Sequence, residues 1–170
     1  MKKVLGGLIK LLIFAGIVYF LYAKVEVRVY RALGTSMESS ISNGELVVTI
    51  KEKNIRRGDI IVFSNEGSPA IKRIIGLPNE KIDVKIDGNI YINDKVYNET
   101  YVSTKTPKGE IVYPHTVKED SYFILGDNRL DSYDSRYIKV DDISKKRIKG
   151  RVVFSLTNFK IIHRVYNSEE

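Results

Sequence analysis

The sequence predicts a mainly β protein of coiled antiparallel sheets, partly barrel-like, behind one N-terminal transmembrane helix. Three observations lead there. Residues 4–23 are apolar or small at every position except Lys10. From Lys24 the pattern changes to strict alternation, the period of a strand with one buried face. Beyond it, short β-rich runs follow at close spacing, with turn residues between them and little helical periodicity.

Each element has its own signal. Twenty residues from Val4 to Ala23 rise about 30 Å as a helix, the hydrocarbon thickness of a bilayer. Lys2, Lys3 and Lys10 in front predict a cytoplasmic N-terminus and an exported remainder. The competing reading, a cleaved signal peptide, wants a small-residue cleavage site, and the bulky exit 18–24 has none. Val25, Val27 and Val29 form the expected inner face of the first strand. Further strands are expected at Glu45 to Lys51, Asp59 to Phe63, Ala70 to Ile75, Lys81 to Ile86, Asn89 to Ile92, Val96 to Tyr97, Tyr122 to Leu125 and Arg151 to Phe154. Asp87-Gly88 and Asn93-Asp94 are hairpin turns between them, and a helical turn is expected at Val140 to Ser144. The domain plan is therefore residues 1–23 as cytoplasmic tail and anchor, then 24–170 as an extracytoplasmic domain. A hairpin cap is inserted at about 81–113.

Composition narrows the function. The 28 Lys+Arg against 21 Asp+Glu give a formal charge of +7, but the basic residues are dispersed and do not interleave with aromatics. That pattern favours an anionic bilayer as partner and no nucleic acid. With no cysteine, neither disulfides nor thiolate metal sites are available. No His-Glu-x-x-His pair or metal-loop spacing occurs, so neither a metal nor another cofactor is expected. His115 and His163 stand apart from any nucleophile elbow and read as loop or surface histidines.

A lysine base remains. Lysine is protonated at neutral pH unless burial or neighbouring positive charge depresses its pKa. Lys72, in Ala70-Ile71-Lys72-Arg73-Ile74-Ile75, lies on a predicted strand, where it and Arg73 point to opposite faces. By itself such a Lys-Arg pair is more often a solvated strand edge than a site.

Three segments then occur in an order that resembles the bacterial type I signal peptidases of the serine/lysine class. Gly34-Thr35-Ser36-Met37 is similar to that family's nucleophile box, and Lys72-Arg73-Ile74-Ile75-Gly76-Leu77-Pro78 to its general-base box. Gly126-Asp127-Asn128-Arg129-Leu130-Asp131-Ser132-Tyr133-Asp134-Ser135-Arg136 follows its Gly-Asp-Asn-x-x-x-Ser-x-Asp-Ser-Arg signature without a gap. The strand Gly58 to Phe63, the hairpin Asp87 to Asn93 and Ile148 to Arg151 are similar as well, so the resemblance spans nearly the whole chain.

The resemblance implies Ser36 as nucleophile, Lys72 as general base and Ser132 as the hydroxyl that orients the lysine. It implies ion pairs of Arg73 with Asp127 and of Asp134 with Arg136 as supports. Shallow pockets for small substrate side chains would be lined by Ala32, Leu33, Gly34, Met37 and Ile71. The Ser36 N–H would serve the oxyanion hole, without the side-chain donor some relatives place where Gly34 stands. The partners implied are exported precursor proteins, cut behind their signal peptides, and the lipid bilayer. The implied location is the cell membrane, with the catalytic domain outside.

The sequence also departs from the family. Ser39, Ser40 and Ile41 replace its usual proline, threonine and leucine, a change expected to loosen the turn carrying Ser36. Asn79-Glu80 replaces Gly-Asp, and Lys139 stands where glycine is common. Together these point to a specialised member with a narrow substrate set such as pilins, or to a non-catalytic pilus-assembly chaperone on the same fold. A self-cleaving repressor is disfavoured by the apolar N-terminus and the lack of a helix-turn-helix pattern.

Overall fold

The computed structural model describes residues 26–164, together with Gly7, Lys10, Leu12, Ile13, Phe14 and Gly16, which are helical. Its strands are β1 (Val27–Arg31), β2 (Leu46–Ile50), β3 (Ile60–Asn65), β4 (Ser68–Gly76), β5 (Lys81–Val84), β6 (Ile90–Ile92), β7 (Lys95–Tyr97), β8 (His115–Thr116), β9 (Ser121–Leu125), β10 (Ile143–Ser144), β11 (Ile148–Ser155) and β12 (Lys160–Ile161). A single 3-10 turn, Lys145–Arg147, leads into β11 and takes the place of the turn expected at Val140 to Ser144.

The larger sheet has the order β1-β2-β11-β3-β4-β9-β10, with β12 paired to β11. The smaller has the order β7-β6-β5-β8. Both are open, which corrects the partly barrel-like expectation. Closure would need the first and last strands to pair with a common stagger. Among the described residues β1 pairs only with β2, and β10, two residues long, only with β9. The expected transmembrane helix, Val4 to Ala23, falls largely outside the described residues, and among the described residues no helix is long and apolar enough to cross a membrane.

The turns follow from local chemistry. Glu66-Gly67 and Asn93-Asp94 join β3 to β4 and β6 to β7, and all four residues have positive φ, the geometry that matches strand twist in a tight hairpin. Asn79, in the departure noted above, sits at φ +67, a conformation asparagine tolerates in glycine's place. Its neighbour Glu80 accepts from the Leu77 N–H at 2.7 Å and pairs with Arg57.

Strand β9 is buried at every position. Tyr122 and Ile124 enter one core with Ile61, Phe63 and Ile74, while Phe123 and Leu125 enter another with Ile75, Ile82, Val84 and Ile90. The second of these cores joins the two sheets. A third cluster, with Ala32, Met37, Ile41, Val47, Ile60 and Val62, backs the turn after β1.

Strand β1 reverses the expected sidedness. Tyr30 packs inward, whereas Val27 and Val29 are exposed. The register carries this outer face across the sheet, Val29 opposite Val48, Val48 opposite Phe154, and Phe154 opposite Ile161. Val29 is 53% and Ile161 57% exposed. The alternation was legible, but which face met the core was decided by β2 and β11.

Candidate active site

The turn after β1 is built to hold Ser36 in place. Gly34 turns the chain at φ +86, its N–H donating to Asn43 Oδ1 at 3.0 Å. Glu38 N–H bonds to Thr35 O at 3.0 Å and Ile41 N–H to Met37 O at 2.8 Å, while Met37 and Ile41 sink into the core. From the other side, Asn128 N–H donates to the Ser36 carbonyl at 3.1 Å and Asn128 Nδ2 to Thr35 O at 3.2 Å. The Thr35 hydroxyl bonds to the Asp131 carboxylate. Backbone and short side chains thus fix the serine with little freedom left to its main chain.

Lys72 comes from the middle of β4, opposite Ile61 of β3. Its residue is 7% exposed, and its Nζ lies 2.5 Å from Ser36 Oγ. A protonated amine donates in this contact, and a neutral one accepts the hydroxyl proton. Burial is the main influence on the amine and lowers its pKa. Asp134, Asp127 and Asp131 oppose that, and Arg136 adds to it. The balance leaves the pKa depressed, the condition a lysine base requires.

The remaining predicted residues form two buried ion-pair groups. Arg73 Nε and Nη2 hold both oxygens of Asp127 at 2.8 and 2.6 Å, and Nη1 donates to Gly58 O at 2.8 Å. Arg136 Nε and Nη2 reach Asp134 at 2.7 and 2.9 Å. Asp134 also accepts from Gly126 N–H at 3.0 Å and from Ser132 Oγ at 2.6 Å. Ser132 therefore bonds to Asp134, and among the described residues it makes no direct hydrogen bond to Lys72. It still lies close to the Ser36 turn, with Gly126 between the two. A Cβ on Gly126 would strike Ser132 Oγ and the Ser36 carbonyl and stand 2.5 Å from Ser132 Cβ.

Beside the pair lies a depression of about 100 Å³, bounded by residues 30–34 and 69–72 with Met37 and Ile41. Ala32, Leu33, Gly34, Met37 and Ile71 all line it, next to Ser36 and Lys72. Ala32 and Met37 form its buried wall, while Leu33 is 80% exposed at its rim. His115, by contrast, has Nε2 at 2.9 and 3.0 Å from the two oxygens of Asp142, and among the described residues it makes no hydrogen bond to a serine.

Sequence reasoning missed several participants. Gly126 stood in the quoted signature without a role, although a glycine before a loop that returns to the site is a signal for close approach. Thr35, Asn128 and Asp131 are ordinary polar residues until the two loops meet. Ser40 accepts from Arg73 Nη2 at 3.1 Å, and the Tyr101 ring lies 4.0 Å from the Arg73 guanidinium. No local pattern announces either contact.

A buried lysine amine against a serine hydroxyl, presented by adjoining parts of an antiparallel β fold, defines a serine peptidase of the Ser/Lys class. The family and sequence comparisons agree. The family model described as signal peptidase, peptidase S26, matches residues 5–157, and the chain belongs to that family. It is 32% identical over 177 residues to signal peptidase I of Bacillus licheniformis, covering 96% of this chain and 94% of the relative. Against signal peptidase I of Bacillus amyloliquefaciens the identity is 34% over 143 residues, covering 77% and 76%. A crystal structure of a signal peptidase I from Enterococcus faecalis V583 is 33% identical, covers 58% of this chain and 97% of its own, and superposes with a TM-score of 0.49.

Proposed function

We propose that the protein cleaves signal peptides from exported precursors, after small residues, with Ser36 as nucleophile and Lys72 as general base. The observation that carries this is the 2.5 Å contact between Ser36 Oγ and a buried Lys72 Nζ of lowered pKa. Ser36 Oγ attacks the scissile carbonyl while Nζ takes the hydroxyl proton. The proton passes to the leaving amine as the C–N bond breaks, which leaves an ester on Ser36. Water, deprotonated by the same amine, then hydrolyses that ester. The Ser36 N–H has no internal acceptor among the described residues and is available to the oxyanion.

Specificity follows from the small depression. A wall of Ala32, Met37 and Ile71 admits a methyl group and excludes large side chains by contact, a stronger filter than apolar preference alone. Segments 30–34 and 69–72 on its two sides support an extended substrate laid between them.

In this reading residues 24–170 form a catalytic domain on the outer side of the cell membrane, with about 81–113 as its cap. The apolar stretch 4–23 behind Lys2 and Lys3 supports membrane attachment. So does the row Val29, Val48, Phe154 and Ile161, exposed at its two ends and half-buried between them, an apolar face suited to a bilayer surface. Pilins are a candidate precursor class on the strength of the Ser39-Ser40 departure. The rival, a non-catalytic pilus-assembly chaperone, would have no use for a depressed lysine beside a serine.

The test is cleavage of a labelled precursor by the detergent-solubilised protein. Wild type is expected to cut, and Ser36→Ala and Lys72→Ala to lose the activity. Cleavage at the wild-type rate by either variant refutes the assignment, and an inert wild type favours the chaperone.

A further inference from the structure

The two serines that distinguish the nucleophile turn are bonded to one distant segment and one arginine. Ser39 Oγ donates to the Tyr101 carbonyl at 3.1 Å, and Ser40 Oγ accepts from Arg73 Nη2 at 3.1 Å. Ser39 holds φ +83, a conformation a non-glycine residue keeps only where its surroundings enforce it. Tyr101 also lays its ring on the Arg73 guanidinium at 4.0 Å. One residue therefore touches both the turn that carries Ser36 and the strand residue next to Lys72.

Tyr101 is itself tied down. Its hydroxyl donates to Glu99 Oε1 at 2.5 Å. Both Glu99 oxygens accept from Arg129, the Nη1 contact with Oε2 being 2.5 Å. Arg129 further donates to Thr106 Oγ1 at 2.6 Å and to Gly126 O at 3.0 Å, and its side chain is wholly buried. Residues 99–106 thus run from the end of β7 across the loop 126–129, bonded to it at each end. Nothing in this network faces the substrate depression, so its effect on chemistry must pass through position.

We propose that segment 99–106 is a strap that sets the register of the serine–lysine pair, with Tyr101 as its positioning residue. The strap takes over the work expected of the missing turn proline. It rests on the reading of Ser36 and Lys72 as the reacting groups. Arg73 is the next residue to Lys72 on β4, so the seat of its guanidinium between Asp127 and the Tyr101 ring limits how far that strand can shift. The bonds at Ser39 and Ser40 limit the turn in the same direction. The ring also lies over the guanidinium of the buried Arg73–Asp127 pair. The charged groups facing the Lys72 amine are Asp134, Asp127, Asp131 and Arg136. Loss of the ring hydrates this side, and the amine becomes easier to protonate.

The experiment compares Tyr101→Phe, Tyr101→Leu, Ser40→Ala, Ser40→Thr and Ser36→Ala in the full chain, in detergent, with the same labelled precursor. Tyr101→Phe keeps the ring and the backbone carbonyl and is expected within about threefold of wild type. Tyr101→Leu is expected to lose roughly tenfold or more in kcat, as a misplaced pair should. Its KM stays within about twofold, and the rising limb of its pH profile moves to higher pH. Ser40→Ala loses several-fold with the same shift, and Ser40→Thr restores it.

A Tyr101→Leu protein with wild-type kcat and an unmoved pH limb, beside an inactive Ser36→Ala, overturns the strap alone. So does a variant in which only the unfolding midpoint falls. Full cleavage by Ser36→Ala overturns the dyad and the strap with it. Should Tyr101→Leu not fold, the Ser40 pair decides: equal activity of Ala, Thr and wild type at that position refutes the proposal.

Discussion

Replacing Gly126 by alanine adds one methyl group at the point where the Ser36 turn and the Ser132 loop come closest. The new carbon would overlap Ser132 Oγ and the Ser36 carbonyl and stand 2.5 Å from Ser132 Cβ. Ordinary carbon–carbon contact is ~3.5–4.0 Å, so the gap must open by roughly 1 Å. The atoms in the way are not the far ends of flexible chains. Ser36 O is backbone, held by Asn128 N–H, and Ser132 is held by Asp134. Over-packing of this kind costs about 1–3 kcal/mol, within the ~5–15 kcal/mol of a typical domain, so the variant should still fold. For a chain of this size that is a fall of about 2–12 °C in Tm. The rate should suffer more. A displacement of ~1 Å at a reacting pair costs up to about a hundredfold. Gly126→Ala is therefore expected to keep its fold by circular dichroism and to lose ~10–100-fold in kcat on a labelled precursor. Wild-type kcat with a lowered Tm would show that the Gly126 approach is packing alone and that Ser36 does not depend on it.

Three other changes probe the same structure. Lys72 is expected to give the rate a rising alkaline limb centred below the ordinary lysine value of about 10.4, since burial favours the neutral amine. The same shift affects stability: between the folded and unfolded pKa values the unfolded chain binds more protons, so stability rises with pH across that window. Lys72→Met should abolish cleavage, raise the unfolding midpoint at pH 7 and lose the alkaline rise; denaturant titrations at several pH values check this. Asp127→Ala leaves Arg73 buried without its carboxylate and should destabilise by about 3–5 kcal/mol in urea unfolding. Ser39→Pro, which restores the family's usual residue, should destabilise by about 3 kcal/mol, because proline needs φ near −65° where Ser39 has +83. A stable, fully active Ser39→Pro would mean that the turn adopts the common form at no cost.

Local pattern located most strands because alternation and turn residues are short-range signals. β2 to β7 and β9 fall close to their expected places, since each lies between turn residues or in a clear apolar run. β8, β10 and β12 are two residues long, too short for any periodicity to register. The sidedness of β1 was hidden for another reason: a strand alternating valine with charged residues does not say which face its neighbours will cover. In the site, Ser36, Lys72 and the arginine–aspartate partners were legible as sequence boxes. The Ser39-Ser40 departure read as a loosened turn, yet both hydroxyls are bonded, to partners 62 and 33 residues away. Compensation at that range leaves no trace in the turn itself.

The double burial of β9 bears on how this molecule opens. Its odd and even side chains belong to different cores, and one of those cores unites the two sheets. Neither sheet can therefore melt without exposing one face of β9, so the region should behave as one cooperative unit in native-state hydrogen exchange. The loop that returns to Ser36 begins at Gly126, the residue immediately after β9. Its geometry is thus inherited from a strand buried on both faces, the part of the chain expected to exchange slowest. Trimming the smaller sheet would remove Ile82, Val84 and Ile90 from behind Phe123 and Leu125. A minimal version of this enzyme would have to keep that sheet, even though the serine and lysine both stand outside it.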